Sequence, residues 1–197
     1  MGFISVLSLA QELAGQRIGP GDCCIDATAG NGVDTLFLAK AAGSGGLVHA
    51  FDIQETALAS TAARLSGELS ERFTGVRLHL ASHDRMKDYV EAEHHGRISA
   101  IMFNLGYLPG AEHTVITQPG TTLAALDSSL ELLRPGGVLT VVVYSGHPGG
   151  EEEAEAVNTW AEALPQREFQ VMSYRFMNQQ NHPPYLIAVE KRQPAAK

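Results

Sequence analysis

The feature that most constrains this chain is the alternation of short apolar β-type runs with helical stretches from end to end, closed by two β-type runs with no helix between them. Such alternation predicts an α/β layer structure, because a strand that returns parallel to its predecessor needs a crossover and a helix usually supplies it. Strands are expected at 23–27, 47–53, 76–81, 99–103 and 138–144, and the helices that follow them at 33–42, 55–69, 84–93, 121–133 and 151–164. A short amphipathic helix at 4–13 precedes them. The last two runs, 169–177 and 185–190, are expected to pair as an antiparallel hairpin joined by the polar loop 178–184. The sheet is therefore expected to be seven-stranded and mostly parallel. Arg134-Pro135-Gly136-Gly137 reads as a helix stop. The run after it, almost wholly β-branched or aromatic, reads as an interior strand. No Ser/Pro-rich linker or repeat interrupts the pattern, so residues 1–197 are expected to form one domain.

Charge and cysteine content narrow the classes. Against 22 Asp and Glu the chain carries 14 Lys and Arg, a formal net charge of -8. That argues against coating of nucleic acid by bulk charge, though not against a grip on RNA through a local patch. The two cysteines, Cys23 and Cys24, are adjacent and would point to opposite faces of a strand, so they offer neither a disulfide framework nor a zinc site. A reducing, cytoplasmic location fits. No apolar run reaches the roughly 18 residues that span a bilayer, and the start lacks the basic segment of a signal peptide, so no membrane association is expected.

The chemistry is concentrated after the strands, on the edge where an open parallel sheet binds ligands. After the first strand the chain reads Asp26-Ala27-Thr28-Ala29-Gly30-Asn31-Gly32-Val33-Asp34-Thr35. Gly30 and Gly32 allow a tight turn and close approach of backbone to a ligand at a helix start. A dinucleotide fingerprint would place a third Gly at position 35, where Thr stands, which disfavours an NAD-dependent dehydrogenase. Asp26 precedes the turn, where a carboxylate would repel pyrophosphate but could accept from an ammonium or water. Asp52 ends the second strand in Phe51-Asp52-Ile53-Gln54, placed to take both hydroxyls of a ribose. Acids at both places suit a nucleoside bearing an amino-acid tail, which describes S-adenosyl-L-methionine better than NAD. For Asp26 and Asp34 the plainer alternative is capping of the helix that starts at Val33.

Asp-x-x-x-Gly-x-Gly after strand one, the acid ending strand two and the terminal hairpin resemble the Rossmann-like class I S-adenosyl-L-methionine-dependent methyltransferases. More narrowly, the run from Asp26, Phe51-Asp52-Ile53-Gln54, Ser82-His83-Asp84, Asn104-Leu105-Gly106-Tyr107-Leu108-Pro109-Gly110, Gly146-His147-Pro148-Gly149-Gly150 and Asn178-Gln179-Gln180-Asn181-His182-Pro183-Pro184-Tyr185 resemble the small family labelled putative rRNA methylase. That family includes a tRNA wobble-uridine methyltransferase. The resemblance covers nearly the whole chain and implies a cofactor site of Asp26, Gly30, Asn31, Gly32, Asp34, Asp52, Gln54, Ser82 and His83. Asp52 and Gln54 would serve the ribose, Ser82 and His83 the adenine, and Asp26 with the glycine turn the methionine end. For His83 the alternative is an exposed loop histidine.

The implied reaction centre is Asn104 to Tyr107. Methyltransferases of planar or amino nitrogens commonly carry Asn/Asp-Pro-Pro-Tyr there, with the side-chain oxygen and the next backbone carbonyl accepting from the amine while the ring stacks on the substrate. Here Asn104-Leu105-Gly106-Tyr107 keeps the Asn and Tyr and loses both prolines. Asn104, Tyr107 and His147 are the catalytic candidates, with Tyr144 and His113 as further proton acceptors, and Leu105, Gly106 and Tyr185 are the substrate-binding candidates. The implied substrate is a 5-aminomethyl-(2-thio)uridine at the tRNA wobble position, held within the anticodon stem-loop and converted to the 5-methylaminomethyl form. Phosphate contacts are expected from Arg85, Lys87, Arg175 and Arg17. Three other readings stay open: methylation of rRNA, methylation of a small amine, and a non-catalytic cofactor-binding protein. A homodimer is compatible with all of them.

Overall fold

The computed structural model describes residues 2–69, 75–106, 119–146 and 148–193. In chain order they form α1 (Val6–Gly15), β1 (Cys23–Asp26), α2 (Val33–Ala42), β2 (Leu47–Asp52), α3 (Glu55–Glu68), β3 (Val76–Leu80), α4 (Met86–Tyr89), β4 (Ile98–Leu105), α5 (Pro119–Leu132), β5 (Leu133–Val143), α6 (Gly150–Glu162), β6 (Phe169–Tyr174) and β7 (Tyr185–Lys191). The seven strands make one sheet in the order β3-β2-β1-β4-β5-β7-β6. β1 to β5 run parallel, and β7 lies antiparallel between β5 and β6, as the expected terminal hairpin. The chain order reverses between β1 and β4, so the switch point opens at the carboxyl ends of those strands.

Both faces of the sheet are covered, and alternate side chains sort between them. Ile25, Phe51, Ile101, Phe103, Leu105 and Val141 pack on the side of α5 and α6. Cys24, Val48, Ala100, Met102 and Val142 pack on the other, under α1 and α2. Cys23 and Cys24 thus face opposite ways, both as buried free thiols. Burial pushes the Cys23 thiol up to about 12 and that of Cys24 still higher, so both stay protonated and packed as small hydrophobes. Each fully buried Ile or Phe contributes about 1.5–3 kcal/mol over its exposed state.

Two local expectations are corrected. The single helix expected at 84–93 is instead a 3₁₀ turn (His83–Arg85), the one-turn α4 and a second 3₁₀ turn (Ala92–His94). Tertiary contacts override the weak helical pattern here: Tyr89 packs against His79 and Phe51, Arg77 pairs with Glu91, and His95 bonds the Val90 carbonyl. The second concerns Arg134-Pro135-Gly136-Gly137, which does not separate helix from strand. α5 ends at Leu132, and Leu133 already pairs with Ile98, after which the register slips so that Val138 faces Ala100. The four residues form a bulge, with Gly136 at φ +76° and a Cβ on Gly137 only 3.0 Å from the Ile98 carbonyl. Among the described residues, no helix is long and apolar enough to cross a membrane.

Between β2 and β3 a buried imidazole, His49, meets a half-buried one, His79. Nδ1 of the fully buried His49 is 3.0 Å from Nε2 of His79, with Phe51 stacked on His79 and Tyr89 tilted against it. One ring must donate and the other accept, which two protonated rings cannot do. Burial first, and then the neighbouring His79 and Arg77, lower the His49 pKa from 6.5 to about 4. The unfolded chain therefore binds this proton at higher pH than the folded one, so the stability present above pH 6.5 is lost as pH falls towards 4. His49→Phe should flatten that part of the curve. Urea unfolding of both proteins at pH 7.5 and at about pH 4.5 is expected to show wild type losing about 2–3 kcal/mol more than the variant.

Candidate functional site

The site is built on the turn that leaves β1. Asp26 is fully buried: one carboxylate oxygen accepts from the Thr28 N–H at 3.1 Å and the other from the Thr35 hydroxyl at 2.6 Å. The residue that replaces a third glycine thus clips the start of α2 to the end of β1. Asp52, at the end of β2, accepts from the Gly30 N–H and from the Gln54 N–H, both at 2.9 Å. The Ala29 N–H bonds the Phe51 carbonyl, Thr61 bonds the Gly30 carbonyl, and Arg64 bonds that of Asn31. Gly32 sits at φ +75°, where a Cβ would stand 2.9 Å from Thr61 Cα, so only glycine admits this close approach of turn to α3.

Around the turn lies a cavity of about 390 Å³ at the switch point, within the range of cofactor-sized sites. It brings together Gly30, Asn31, Asp34, Asp52 and Gln54 from the first two strand exits, Ser82 and His83 from the third, and Asn104 and Gly106 from the fourth. Phe51, Ile53 and Ala81 add apolar wall. His83 is buried rather than an exposed loop residue, bonds the Ala27 carbonyl and packs against Phe103. Burial lowers its pKa, keeping the ring neutral, and its Nε2 is left without a partner.

Asn104 is the most distinctive residue of the rim. Its backbone N–H donates to Thr28 Oγ1 and its Nδ2 donates to Asp34, each at 2.7 Å. Asp34, in the first turn of α2, also accepts from Gln11 Nε2 of α1 at 2.7 Å. The Asn104 side-chain oxygen is buried with no hydrogen-bond partner, in a residue that lines the cavity. Such a group demands a donor, and a bound ligand can bring one.

Four of the residues expected at the site lie apart from the cavity lining. Asp26 does not line the cavity: both its oxygens serve the turn, and it supports the site from beneath. Leu105 offers no side chain to a substrate, since it is wholly buried in the core and its carbonyl accepts from the Tyr144 N–H at 3.2 Å. Tyr185 starts β7 in the core, its hydroxyl held by Asn158 at 2.6 Å and its ring beneath Arg175, and it does not line the cavity. Gly32 is likewise part of the turn rather than of the lining. Tyr107, His113 and His147 lie outside the described residues. Of the basic residues expected to meet phosphate, Arg17 pairs with Glu190, Lys87 with Glu131 and Arg85 with Asp88, while Arg175 covers Tyr185. Sequence reasoning did not find Leu7 and Gln11, which α1 contributes to the cavity, because nothing in an amphipathic helix pattern marks which residue of its polar side will face a ligand.

The sheet order and the cavity at its switch point define the class I methyltransferase fold. Comparison with known proteins narrows this. The family described as Putative rRNA methylase matches residues 48–190, and the chain belongs to that family. A chloroplastic tRNA (mnm(5)s(2)U34)-methyltransferase of Arabidopsis thaliana is 39% identical over 184 residues, 90% of this chain, which in turn spans 66% of that relative's length. The crystal structure of a protein named putative rRNA-methylase from Clostridium thermocellum is similar with a TM-score of 0.91 and 38% identity, covering 97% of this chain and 100% of that one. A protein from Streptococcus mutans described as a putative methyltransferase, in complex with SAH, gives a TM-score of 0.84 at 39% identity, covering 96% and 99% respectively.

The buried Asp26 yields a stability prediction independent of any ligand. Burial first, and then the charge of Asp34, raise its carboxyl from 3.8 to about 7. The folded state holds this proton more tightly, so its contribution to stability is lost as pH rises between those values. Asp26→Asn should match wild type near pH 4 and melt at higher temperature near pH 8, read by differential scanning calorimetry at both.

Proposed function

We propose that this protein is an S-adenosyl-L-methionine-dependent N-methyltransferase that converts 5-aminomethyl-(2-thio)uridine to 5-methylaminomethyl-(2-thio)uridine at the wobble position of tRNA. The observation that carries the reading is the unpaired, buried oxygen of Asn104 on the cavity rim. A primary amine supplies the N–H that this oxygen lacks and keeps a lone pair for attack. The named activity of the 39% identical plant relative supports the same chemistry.

The residues present fit the cofactor. Asp52 retains unused lone pairs for ribose hydroxyls beyond its two backbone bonds, and Gln54 lies beside it. Ile53 and Ala81 provide an apolar face for adenine, Ser82 lies next to them, and the unpaired His83 Nε2 is an acceptor for the adenine amino group. Gly30 and Asn31 of the turn offer backbone partners to a zwitterionic tail. When bound, the cofactor supplies an electrophilic methyl group on sulfur.

The protein's part is positioning. Asn104 Oδ1 accepts from one amine N–H and so aims the nitrogen lone pair. One methyl passes from sulfur to nitrogen, the C–S bond breaks, and the secondary ammonium releases one proton to solvent. An alkylamine needs no strong base, only deprotonation before transfer. With Arg17, Arg85 and Lys87 held in ion pairs, recognition rests on one exposed wobble base in the anticodon stem-loop rather than on broad phosphate contact.

The test mixes the protein with labelled S-adenosyl-L-methionine and an anticodon stem-loop carrying 5-aminomethyluridine, with rRNA fragments and small amines in parallel. Methyl transfer to the stem-loop alone is expected; transfer only to small amines would overturn the RNA assignment. Asn104→Ala should lower kcat roughly 100-fold with S-adenosylhomocysteine affinity nearly unchanged. Asp52→Ala should instead weaken S-adenosylhomocysteine binding by about 10- to 100-fold, measured by calorimetry.

A further inference from the structure

We infer that Gln11 and Asp34 are a positioning pair that sets which end of the Asn104 carboxamide meets the substrate, an inference that rests on the methyl-transfer reading above. A carboxamide is nearly symmetric in shape and opposite in chemistry at its two ends. Rotation by half a turn would exchange the acceptor oxygen for an NH₂ donor at little steric cost. The direction is therefore a matter of neighbours, and the substrate amine depends on it. An oxygen turned to the cavity takes an N–H and leaves the lone pair free, whereas an NH₂ turned to the cavity would compete for that lone pair.

Asp34 settles the orientation. An ionised carboxylate accepts only, so the group 2.7 Å from it must be Nδ2 of Asn104, and Oδ1 is directed elsewhere, buried and unpaired. Asp34 is 9% exposed and is held from the far side by Gln11 Nε2, also at 2.7 Å. The backbone of Asn104 is anchored separately by Thr28. The chain of contacts runs from α1 through α2 to the end of β4, giving α1, which belongs to no strand-helix unit, a place in the reaction. Of the acids on the rim, Asp52 serves the turn and Gln54 backbone, and Asp34 is left to orient Asn104.

Asp34→Asn tests this with almost no change of shape. An amide at position 34 can donate as well as accept, so Asn104 loses its reason to point one way. Three measurements are made on the full chain: kcat and KM on the 5-aminomethyluridine stem-loop, calorimetric binding of S-adenosylhomocysteine, and the side-chain amide resonances of Asn104 in the complex with S-adenosylhomocysteine. Asp34→Asn is expected to lower kcat roughly 30- to 100-fold while KM and inhibitor affinity stay within about threefold. Gln11→Met, which leaves Asp34 in place but untethered, should lower kcat about three- to tenfold. Added to Asn104→Ala, Asp34→Asn should change kcat by less than about twofold, since there is no amide left to orient.

An Asp34→Asn effect as large in the Asn104→Ala background as alone would overturn the inference, and so would a loss confined to inhibitor affinity. The amide resonances separate this from failure of the functional reading. In wild type the Asn104 NH₂ protons should exchange slowly and lose that protection in Asp34→Asn, whatever the substrate. Wild-type protein that methylates no stem-loop while showing this contrast would overturn the substrate assignment alone; absence of the contrast would overturn the positioning pair.

Discussion

The site depends on one constraint: the exits of β1, β2 and β4 must be held together where the sheet opens, although hydrogen bonding between strands ends there. Side chains take over the work. Asp52 holds the Gly30 and Gln54 N–H groups, Asp26 holds Thr28 and Thr35, and Thr28 in turn holds the backbone of Asn104. The register of the parallel strands, with Asp26 between Ala50 and Met102, brings these partners within reach. Because this polar network is buried or nearly so, each bond counts for more than it would in water, and an unfilled position is costly. Asp26 shows that cost in its raised pKa, and the clipped turn is what it secures.

From that rim follows a division of labour among acids close together in sequence. Asp26 sits below the cavity and maintains the turn. Asp34 and Asp52 stand in its wall, one bonded to Asn104 and Gln11, the other to backbone and still open to further donors. A net charge of -8 spoke against broad RNA binding, and the ion pairs of Arg17, Arg85 and Lys87 strengthen that point. Part of the negative charge lies where a cationic cofactor would need it.

Much of this was legible in the chain. The seven strands, the reversed terminal hairpin and the place of Gly30 and Asp52 at one edge follow from period, turn residues and the rule that parallel sheets bind ligands at their carboxyl ends, while Ser82, His83 and Asn104 were marked by the family resemblance. Where the reading failed, a tertiary contact had outweighed a local signal. Residues 84–93 broke into short turns because Tyr89 and Glu91 found partners on β2 and β3. Pro135 and Gly136 became a bulge because Leu133 was already paired. Tyr185, aromatic and next to a polar loop, resembled a stacking platform until its hydroxyl met Asn158.

The sequence by itself determined which residues stand at the strand exits around the switch point, since alternation along a strand and the residues at its exit are local properties read one element at a time. It did not determine what those side chains do to one another. That Asp26 lies beneath the cavity while Asp34 lies in its wall, that α1 delivers Gln11, and that the Asn104 oxygen is left without a donor are all consequences of packing elements distant in the chain. Hydrogen-bond direction and burial depend on the neighbour across the gap, and only the folded structure names that neighbour.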